Sequence, residues 1–321
     1  MKILNKIKQK LMNSSKTALV CHQNPDGDTL GSAFALSEAL DKIGKRNDVC
    51  CADTLPEKYS FMDGVVIHNE LLQGNYDLIV FLDSAEPKLV GSLIEGLDLS
   101  GTDTVNIDHH GTNTKYADIN YVDSASSSTA EIVQDLLKIL GVQFSKRIAE
   151  YLYVGMVTDT GQFAYSYTSA RTHEHAAFLL ECGVDFSRLH KILFNRMPLN
   201  KLLLTKQMLE NLQLYEGGKI AVSLLSTQDF KESGAAPEDS DSLVNMILNI
   251  IGVKAAALIR QLDTELFKVS LRSDDDTDIS KAAKILGGGG HKQASGATVE
   301  CSKNDAVKTI LDAIHKAEII K

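Results

Sequence analysis

The stretch Thr104-Val-Asn-Ile-Asp-His-His110 decides the fold prediction, because a short apolar run typical of a buried strand ends directly in three ionisable side chains. Two other predicted strands, residues 18–21 and 77–83, end in the same way, the first just before His22 and the second at Asp83. The carboxyl ends of parallel strands meet at one edge of a sheet. We therefore expect these side chains to gather in a single crevice.

Predicted helices alternate with the predicted strands. An apolar stripe or a polar cap followed by apolar residues predicts helices over residues 30–43, 132–140, 145–158 and 169–183. Ser128 and Glu131 have the spacing of a capping box ahead of the second of these helices. The alternation predicts an α/β fold with a mainly parallel sheet flanked by helices.

The second half of the chain restarts the pattern after a helical stretch. We predict a first domain, a helical connector and a smaller α/β carboxyl-terminal domain at residues 1–188, 189–215 and 216–321. Within the last of these, the runs 255–262 and 266–272 flank three polar residues, which is typical of a hairpin.

Composition limits the classes of partner. The formal net charge of −9 argues against a surface that grips long nucleic acid, which requires a broad basic face, but a short anionic substrate stays compatible. Ile3, Ile7 and Leu11 recur about one helical turn apart with lysines between them, which predicts an amphipathic helix packed on the first domain and not a signal peptide. No stretch has the roughly 18 consecutive apolar residues needed to cross a bilayer, so we expect no membrane partner.

The five cysteines are odd in number and form no C-x-x-C motif, which disfavours a disulfide framework and a thiolate zinc site. A reducing cytoplasm is therefore the expected location.

The crevice side chains predict a metal centre. In His22-Gln-Asn-Pro-Asp-Gly-Asp28, the proline stiffens the loop and the glycine permits a sharp bend, so the histidine and both aspartates can turn inward together. Carboxylates gathered this closely repel one another unless cations neutralise them. Imidazole with carboxylate suits Mn²⁺ or other borderline metals, whereas an all-oxygen set favours Mg²⁺ or Ca²⁺.

Each motif also has a purely structural interpretation. Asp26 could simply cap the following helix, Asp83 could cap a short helix near Ser84, and the histidine pair could lie in a surface loop. Asp159 lies at a helix end, where a carboxylate opposes the helix dipole and needs another reason to be there. The joint occurrence of the motifs, more than any one residue, favours a metal centre.

These four blocks resemble the motifs of the DHH phosphoesterases, and Gly287-Gly-Gly-Gly-His-Lys-Gln-Ala-Ser-Gly-Ala297 resembles the glycine-rich signature of the DHH-associated substrate domain. The resemblance covers essentially the whole chain in the expected order. Within the family, the chain is most similar to the group of small nanoRNases and phosphoadenosine phosphate phosphatases, which includes enzymes acting on linear dinucleotides such as pApA.

The resemblance implies two divalent ions, Mn²⁺ being the expected metal. It implies that one ion is held by His22, Asp26 and Asp83, and the other by Asp28, Asp83, His109 and Asp159. Asp83 would bridge the two ions. His110 would face the phosphate as a donor or proton carrier, and Asp108 would orient one of the imidazoles.

Substrate recognition is expected mainly from the second domain. Backbone N–H groups at Gly288, Gly289 and Gly290 could approach an anion closely, and His291 follows them, although a glycine run alone is more often a flexible hinge. Arg272 is the candidate for a terminal phosphate, since a guanidinium matches phosphate geometry, and its alternative is an exposed hairpin-end arginine. Arg171, downstream of Asp159, is a further candidate through the family pattern.

The sequence thus predicts a two-metal phosphoesterase that hydrolyses short oligoribonucleotides or pApA-type dinucleotides to mononucleotides, and phosphoadenosine phosphate to AMP. One alternative is a manganese-type inorganic pyrophosphatase, whose second domain lacks the G-G-G-H run. Another is a catalytically idle nucleotide sensor with the same fold. A homodimer is compatible with the sequence.

Overall fold

A computed structural model describes residues 2–70, 76–95, 99–274 and 276–319. The chain forms two compact units, Met1–Asn195 and Arg196–Lys321. The boundary falls within the stretch 189–215 that was predicted as a connector, and helices on either side of the boundary belong to different units.

A parallel sheet forms the centre of the first unit. Its strands are β1 (Lys16–Val20), β2 (Arg46–Cys50), β3 (Ile67–His68), β4 (Leu78–Leu82), β5 (Asp103–Asp108) and β6 (Ile119–Val122). They lie in the order β3-β2-β1-β4-β5-β6, and every neighbouring pair is parallel. The order reverses between β1 and β4, and this reversal is where a crevice opens at the carboxyl ends of the strands. The predicted α/β fold class is confirmed.

Helices flank the sheet of the first unit, and some of them begin at polar caps that the sequence indicated. They are α1 (Lys2–Asn13), α2 (Gly27–Lys42), α3 (Thr129–Leu140), α4 (Lys146–Asp159), α5 (Ala170–Glu181) and α6 (Phe186–Leu193). The side chains of Asp26, Ser128, Ser145 and Ser169 each accept a hydrogen bond from a backbone N–H of the first turn that follows. These caps explain why the helix starts could be predicted from local sequence.

Apolar cores pack on both faces of this sheet. Leu19, Val80 and Ile107 join the helices in the larger core, whereas Val20 and Phe81, one position away in their strands, face a smaller core. The alternation follows from the two-residue period of a strand. β4 is buried along its whole length. Asp83, the polar residue that directly follows this strand, therefore lies at the edge of the apolar interior.

The amino-terminal helix packs on the first unit, but its predicted apolar stripe is wrong by one position. Leu4, Ile7 and Leu11 are buried, while Ile3 is 41% exposed. Spacings of three and then four residues follow the 3.6-residue period more closely than two spacings of four. Nowhere in the described residues does a helix have the length and apolar character needed to cross a bilayer.

The second unit contains a mixed sheet. Its strands are β7 (Gln213–Tyr215), β8 (Ile220–Leu225), β9 (Ala255–Gln261), β10 (Leu266–Ser273), β11 (Gly289–Gly290) and β12 (Ala294–Glu300), and its helices are α7 (Leu199–Glu210), α8 (Thr227–Ser233), α9 (Leu243–Leu248), α10 (Ser280–Ile285) and α11 (Lys303–Lys316). The strand order is β11-β12-β10-β9-β8-β7. Among the described strands of this second sheet, only β8 and β9 pair in parallel. The antiparallel pairing of β9 with β10 confirms the predicted hairpin.

Candidate metal centre

Aspartate and histidine side chains converge at the carboxyl ends of β1, β4 and β5. They form three overlapping groups whose potential ligand atoms lie within 4.8 Å of one another: His22, Asp26 and Asp83; Asp83, His109 and His110; and Asp28, His109 and Asp159. Four of these residues follow strands (His22, Asp83, His109 and His110), two lie at the start of α2 (Asp26 and Asp28), and Asp159 ends α4. The structure therefore brings together every residue that the sequence nominated as a metal ligand.

Asp83 lies at the centre of the cluster. Its Oδ2 atom is 3.6 Å from Nε2 of His22, and its Oδ1 atom is 3.6 Å from Nε2 of His109. The residue is 4% exposed and has a φ of +58°, a left-handed conformation uncommon outside glycine. A short 3-10 helix does begin nearby, at Pro87, but its N-cap is Glu86, so the alternative that Asp83 is a helix cap is wrong. The strained backbone instead directs the carboxylate toward both histidines.

Asp26 has a structural role and also lies in the cluster. Its Oδ1 atom caps α2 by accepting hydrogen bonds from the N–H groups of Asp28 and Thr29, at 2.9 and 3.1 Å. The same atom lies 3.6 Å from Nε2 of His22. Burial opposes ionisation of Asp26, but the adjacent His22 outweighs it and lowers the pKa of the carboxyl. The capping interpretation and the metal interpretation are therefore compatible.

His22 responds to the same carboxylates. Burial disfavours its charged form, but the carboxylates of Asp26 and Asp83, each 3.6 Å from Nε2, raise the pKa of the imidazole to about 11. The cluster thus attracts positive charge strongly, as expected of carboxylates gathered in a crevice.

Asp28 is fully buried and faces the amino terminus of α3. Its Oδ2 atom accepts a hydrogen bond of 2.7 Å from the N–H of Thr129, and its Oδ1 atom accepts one of 2.9 Å from the N–H of Ala130. Burial, followed by the charges of Asp83 and Asp159, raises the pKa of the Asp28 carboxyl. When Asp28 is ionised, its buried negative charge therefore needs a cation nearby to compensate it.

His109 and Asp159 show that the cluster fits a cation. Nε2 of His109 lies 3.2 Å from Oδ2 of Asp159, and both atoms are buried without a hydrogen-bond partner in the described part of the chain. Burial and the charge of Asp83 raise the pKa of Asp159 to about 7. Two unsatisfied ligand atoms that face each other, in a set of imidazoles and carboxylates, are suited to a borderline divalent metal.

Asp108 and His110 form a pair beside these ligands. Oδ1 of Asp108 accepts hydrogen bonds from the backbone N–H groups of His109 and His110 and lies 2.8 Å from Nδ1 of His110. This hydrogen bond, although opposed by burial, raises the pKa of His110 to about 9. The predicted orienting position of Asp108 is consistent with this geometry, and the histidine pair is not a free surface loop.

Three residues of the centre were not nominated from the sequence. Asn113 donates from Nδ2 to Oδ2 of Asp108 at 2.6 Å, and Oγ1 of Thr129 donates to Oδ1 of Asp83 at 3.0 Å. Ala130 contributes only its backbone N–H. The sequence did indicate a role for Thr129, because a predicted helix start has N–H groups without partners within the helix. It did not indicate which carboxylate would accept hydrogen bonds from them.

The nominated substrate residues of the second unit have structural contacts of their own. Arg272 is half-buried on β10, where Nη1 donates to its neighbour's carbonyl, the O atom of Leu271, at 2.9 Å. Burial lowers the pKa of its guanidinium. His291 is exposed, and its N–H donates to the O atom of Ala294 at 2.8 Å.

The glycine run is partly a strand, which the sequence did not predict. Gly289 and Gly290 pair in antiparallel fashion with Gly296 and Ser295. The N–H of Gly288 donates to the O atom of Ala283 at 2.8 Å, so this donor is engaged within the protein. A Cβ atom at Gly288 would lie 2.1 Å from the carbonyl oxygen of Gly296, so close packing requires glycine there.

Arg171 lies in the first unit and contacts three carboxylates. Its nitrogen atoms are 2.7 Å from Asp135, 3.2 Å from Glu131 and 3.4 Å from Asp123. This guanidinium is therefore engaged with protein groups, although the sequence nominated it for substrate.

The fold and the cluster define a class: an α/β protein with a candidate centre for divalent metal at the carboxyl edge of a parallel sheet. Comparison with known proteins identifies the family. Residues 16–156 match the model of the DHH family, N-terminal domain, and residues 217–317 match that of the DHHA1 domain. The chain belongs to the DHH family of phosphoesterases, whose members depend on metal ions.

Individual relatives support this assignment over nearly the whole chain. The bifunctional oligoribonuclease and PAP phosphatase NrnA of Thermus thermophilus is 35% identical over 306 residues, covering 93% of this chain and 89% of that protein. The protein of the same name from Bacillus subtilis is 28% identical over 282 residues, covering 87% of each. The crystal structure of an exopolyphosphatase-related protein from Bacteroides fragilis has a TM-score of 0.88 and 27% identity, covering 98% of this chain and 96% of that one.

Proposed function

We propose that this protein hydrolyses short oligoribonucleotides or linear dinucleotides of the pApA type to mononucleotides, and phosphoadenosine phosphate to AMP, with two Mn²⁺ ions as cofactors. The observation that carries the proposal is the overlap of three Asp/His groups through Asp83 and His109. The names of the relatives from Thermus thermophilus and Bacillus subtilis supply the substrate classes.

Asp83 is the proposed bridging ligand. Its two oxygens face different imidazoles, Oδ2 toward His22 and Oδ1 toward His109, which supports one ion on each side of the carboxylate. The proposed ligand sets are His22, Asp26 and Asp83 for one ion, and Asp28, Asp83, His109 and Asp159 for the other. When bound, a pair of divalent ions supplies Lewis acidity and neutralises the charge of a phosphate.

His110 is the proposed proton donor. Asp108 holds its Nδ1 atom, so Nε2 is left to point at a phosphate oxygen or a leaving oxygen. The hydrogen bond to Asp108 also raises the pKa of this imidazole to about 9 in the ion-free protein. A protonated imidazole can donate to developing negative charge.

The second unit is proposed to recognise the rest of the substrate. Arg272 offers a guanidinium that can bind a terminal phosphate in a bidentate manner, and the exposed His291 offers a second donor. Gly288, Gly289 and Gly290 are proposed to contribute through close backbone approach, with the N–H of Gly288 already engaged. Arg171 is left out of this set because its guanidinium contacts three carboxylates.

A manganese-type pyrophosphatase is less well supported. The match of residues 217–317 to the DHHA1 domain includes the Gly287–290 run and His291, which that alternative lacks. An idle nucleotide sensor is also less well supported, because each proposed ligand position carries a residue able to bind metal. A homodimer and a cytoplasmic location stay predictions.

A substrate panel tests the proposal. Purified protein with added Mn²⁺ is incubated with pApA, longer RNA, phosphoadenosine phosphate and pyrophosphate, and the products are separated by chromatography. Mononucleotides from pApA or AMP from phosphoadenosine phosphate support the proposal. Turnover of pyrophosphate alone supports the pyrophosphatase, and nucleotide binding without any turnover supports the sensor. Asp83→Asn serves as the inactive control for contaminating nucleases.

A further inference from the structure

We infer that Arg171 is a positioning residue of the metal centre, acting through Glu131 and the amino terminus of α3 on the carboxylates of Asp28 and Asp83. The inference rests on the proposed function only in requiring that the cluster binds divalent cations. It gives Arg171 a role without direct contact with substrate.

The first link joins α3 to the metal-binding carboxylates. The N–H groups of Thr129 and Ala130 donate to the two oxygens of Asp28 at 2.7 and 2.9 Å. The hydroxyl of Thr129 donates to Oδ1 of Asp83 at 3.0 Å. Because the amino terminus of a helix favours negative charge, this segment both orients and stabilises the carboxylates. Any movement of Thr129 would shift ligands of both proposed ions.

The second link fixes the segment itself. Glu131 is fully buried in the first turn of α3, and its Oε2 atom accepts hydrogen bonds from N and Oγ of Ser127 at 3.1 and 2.8 Å. Ser128 caps the helix by accepting from the N–H of Glu131, as the sequence predicted. The carboxylate, however, binds Ser127 and not the N–H of Ser128 that a capping box would use. Glu131 therefore ties down the peptide that leads into Thr129.

The third link is the guanidinium of Arg171. Its Nε lies 3.2 Å from Oε1 of Glu131, and its Nη2 lies 2.7 Å from Oδ2 of Asp135 one turn further along α3. Its Nη1 lies 3.4 Å from Asp123 and 3.3 Å from Oγ of Ser126, in the loop before the helix. The guanidinium of Arg171 thus contacts residues both before and after Thr129, whose segment binds Asp28 and Asp83. It also compensates the buried charge of Glu131.

The decisive measurement is the affinity of the metal-free protein for Mn²⁺ in the absence of nucleotide, by titration calorimetry. Arg171→Gln removes both the positive charge and the planar set of N–H donors of the guanidinium. Loss of an interaction that orients metal ligands typically costs about 10- to 100-fold in metal affinity. We expect a loss in this range. Arg147→Gln is a matched control, because Arg147 pairs with the buried Glu38 in the same unit and, in the described part of the chain, forms no ion pair with a cluster residue. The control should bind Mn²⁺ as the unmodified protein does.

A conservative pair of variants at Thr129 tests the path. Thr129→Val removes the hydroxyl that binds Asp83 and should weaken Mn²⁺ binding, whereas Thr129→Ser keeps the hydroxyl and should restore most of the affinity. Circular dichroism checks that each variant is folded. If Arg171→Gln is unfolded, Arg171→Lys replaces it. Lysine keeps the positive charge but lacks the planar guanidinium, so we expect a partial loss of Mn²⁺ affinity.

Unchanged Mn²⁺ affinity in folded Arg171→Gln, or in Arg171→Lys where that variant replaces it, would overturn the inference. A raised KM for nucleotide in the same variant would then return Arg171 to the substrate-binding set. Unchanged affinity in Thr129→Val would also overturn it. Failure of the proposed function is distinguishable, because it would show as absent turnover across the substrate panel while the Arg171 variants still lose Mn²⁺ affinity.

Discussion

Nε2 of His109 and Oδ2 of Asp159 lie 3.2 Å apart, and both are buried without a hydrogen-bond partner within the described residues. One residue follows β5 and the other ends α4, so tertiary packing alone brings them together. Leaving a buried polar atom unsatisfied costs about 1–3 kcal/mol. A divalent ion bound by both atoms would remove this cost, which is why metal should stabilise the first unit as well as activate it.

Replacing the bridging carboxylate should abolish activity. Asp83→Asn removes a charge shared by two of the three Asp/His groups, and we expect kcat/KM to fall by about 1000-fold or more, since metal-derived stabilisation amounts to several kcal/mol. Bound manganese, measured by atomic absorption after desalting, should fall as well. Asp77→Asn is the matched control, because Asp77 precedes the same strand at its opposite end. Near-normal turnover in Asp83→Asn would show that the bridging assignment is wrong.

Replacing the proposed proton donor should slow turnover without removing metal. His110→Asn deletes a group that typically contributes about 100- to 10,000-fold as a general acid, so kcat should fall within that range. Mn²⁺ affinity, measured by calorimetry, should stay close to that of the unmodified protein. A large loss of metal affinity would instead identify His110 as a ligand, as its proximity to Asp83 and His109 allows.

Metal binding should release protons and strengthen as pH rises. His22, with a pKa of about 11 in the ion-free protein, must lose its proton to bind an ion. Asp159, with a pKa of about 7, is protonated at lower pH, so Mn²⁺ affinity should weaken as the pH falls through about 7. Calorimetry in two buffers with different ionisation enthalpies counts the released protons. In Asp159→Asn, Mn²⁺ affinity should change less between about pH 6 and 8 than in the unmodified protein. An unaltered pH dependence of Mn²⁺ affinity in this variant would contradict the assignment of Asp159 as a metal ligand.

Close packing in the glycine run should make one glycine far more sensitive than its neighbour. Gly288→Ala places a Cβ atom 2.1 Å from the carbonyl oxygen of Gly296, so the unfolding free energy of the protein should fall by about 1–3 kcal/mol. Gly289→Ala meets no atom within 4 Å and is the matched control. Urea denaturation followed by circular dichroism measures both. Equal stabilities of the two variants would contradict the packing described here.

Removing the proposed phosphate ligand should affect substrate binding more than chemistry. Arg272→Ala deletes charge-assisted hydrogen bonds worth about 1.5–3 kcal/mol, so KM for pApA should rise by roughly tenfold or more while kcat changes little. Steady-state kinetics with saturating Mn²⁺ separates the two constants. An unaltered KM would assign Arg272 to the structure of the second unit alone.

Much of the candidate site could be predicted because its signals are local. The strands β1, β4 and β5 each contain a short apolar run, and an ionisable residue lies at or just after the end of each run, as at Asp83 and His109. The rule that parallel strands end at one edge then implies proximity without any knowledge of side-chain packing. Helix caps such as Ser145 and Ser169 were predictable for the same reason.

The sequence by itself determined the α/β fold class, the hairpin of the second unit and the set of carboxylates and imidazoles at the sheet edge, because hydrophobic periodicity and strand ends are written in neighbouring residues. Only the tertiary structure decided that the N–H of Thr129 would bind Asp28, 101 positions earlier, and that Arg171 would face Glu131. Such contacts depend on how helices pack and which buried charges must be compensated, and no short-range pattern encodes that choice.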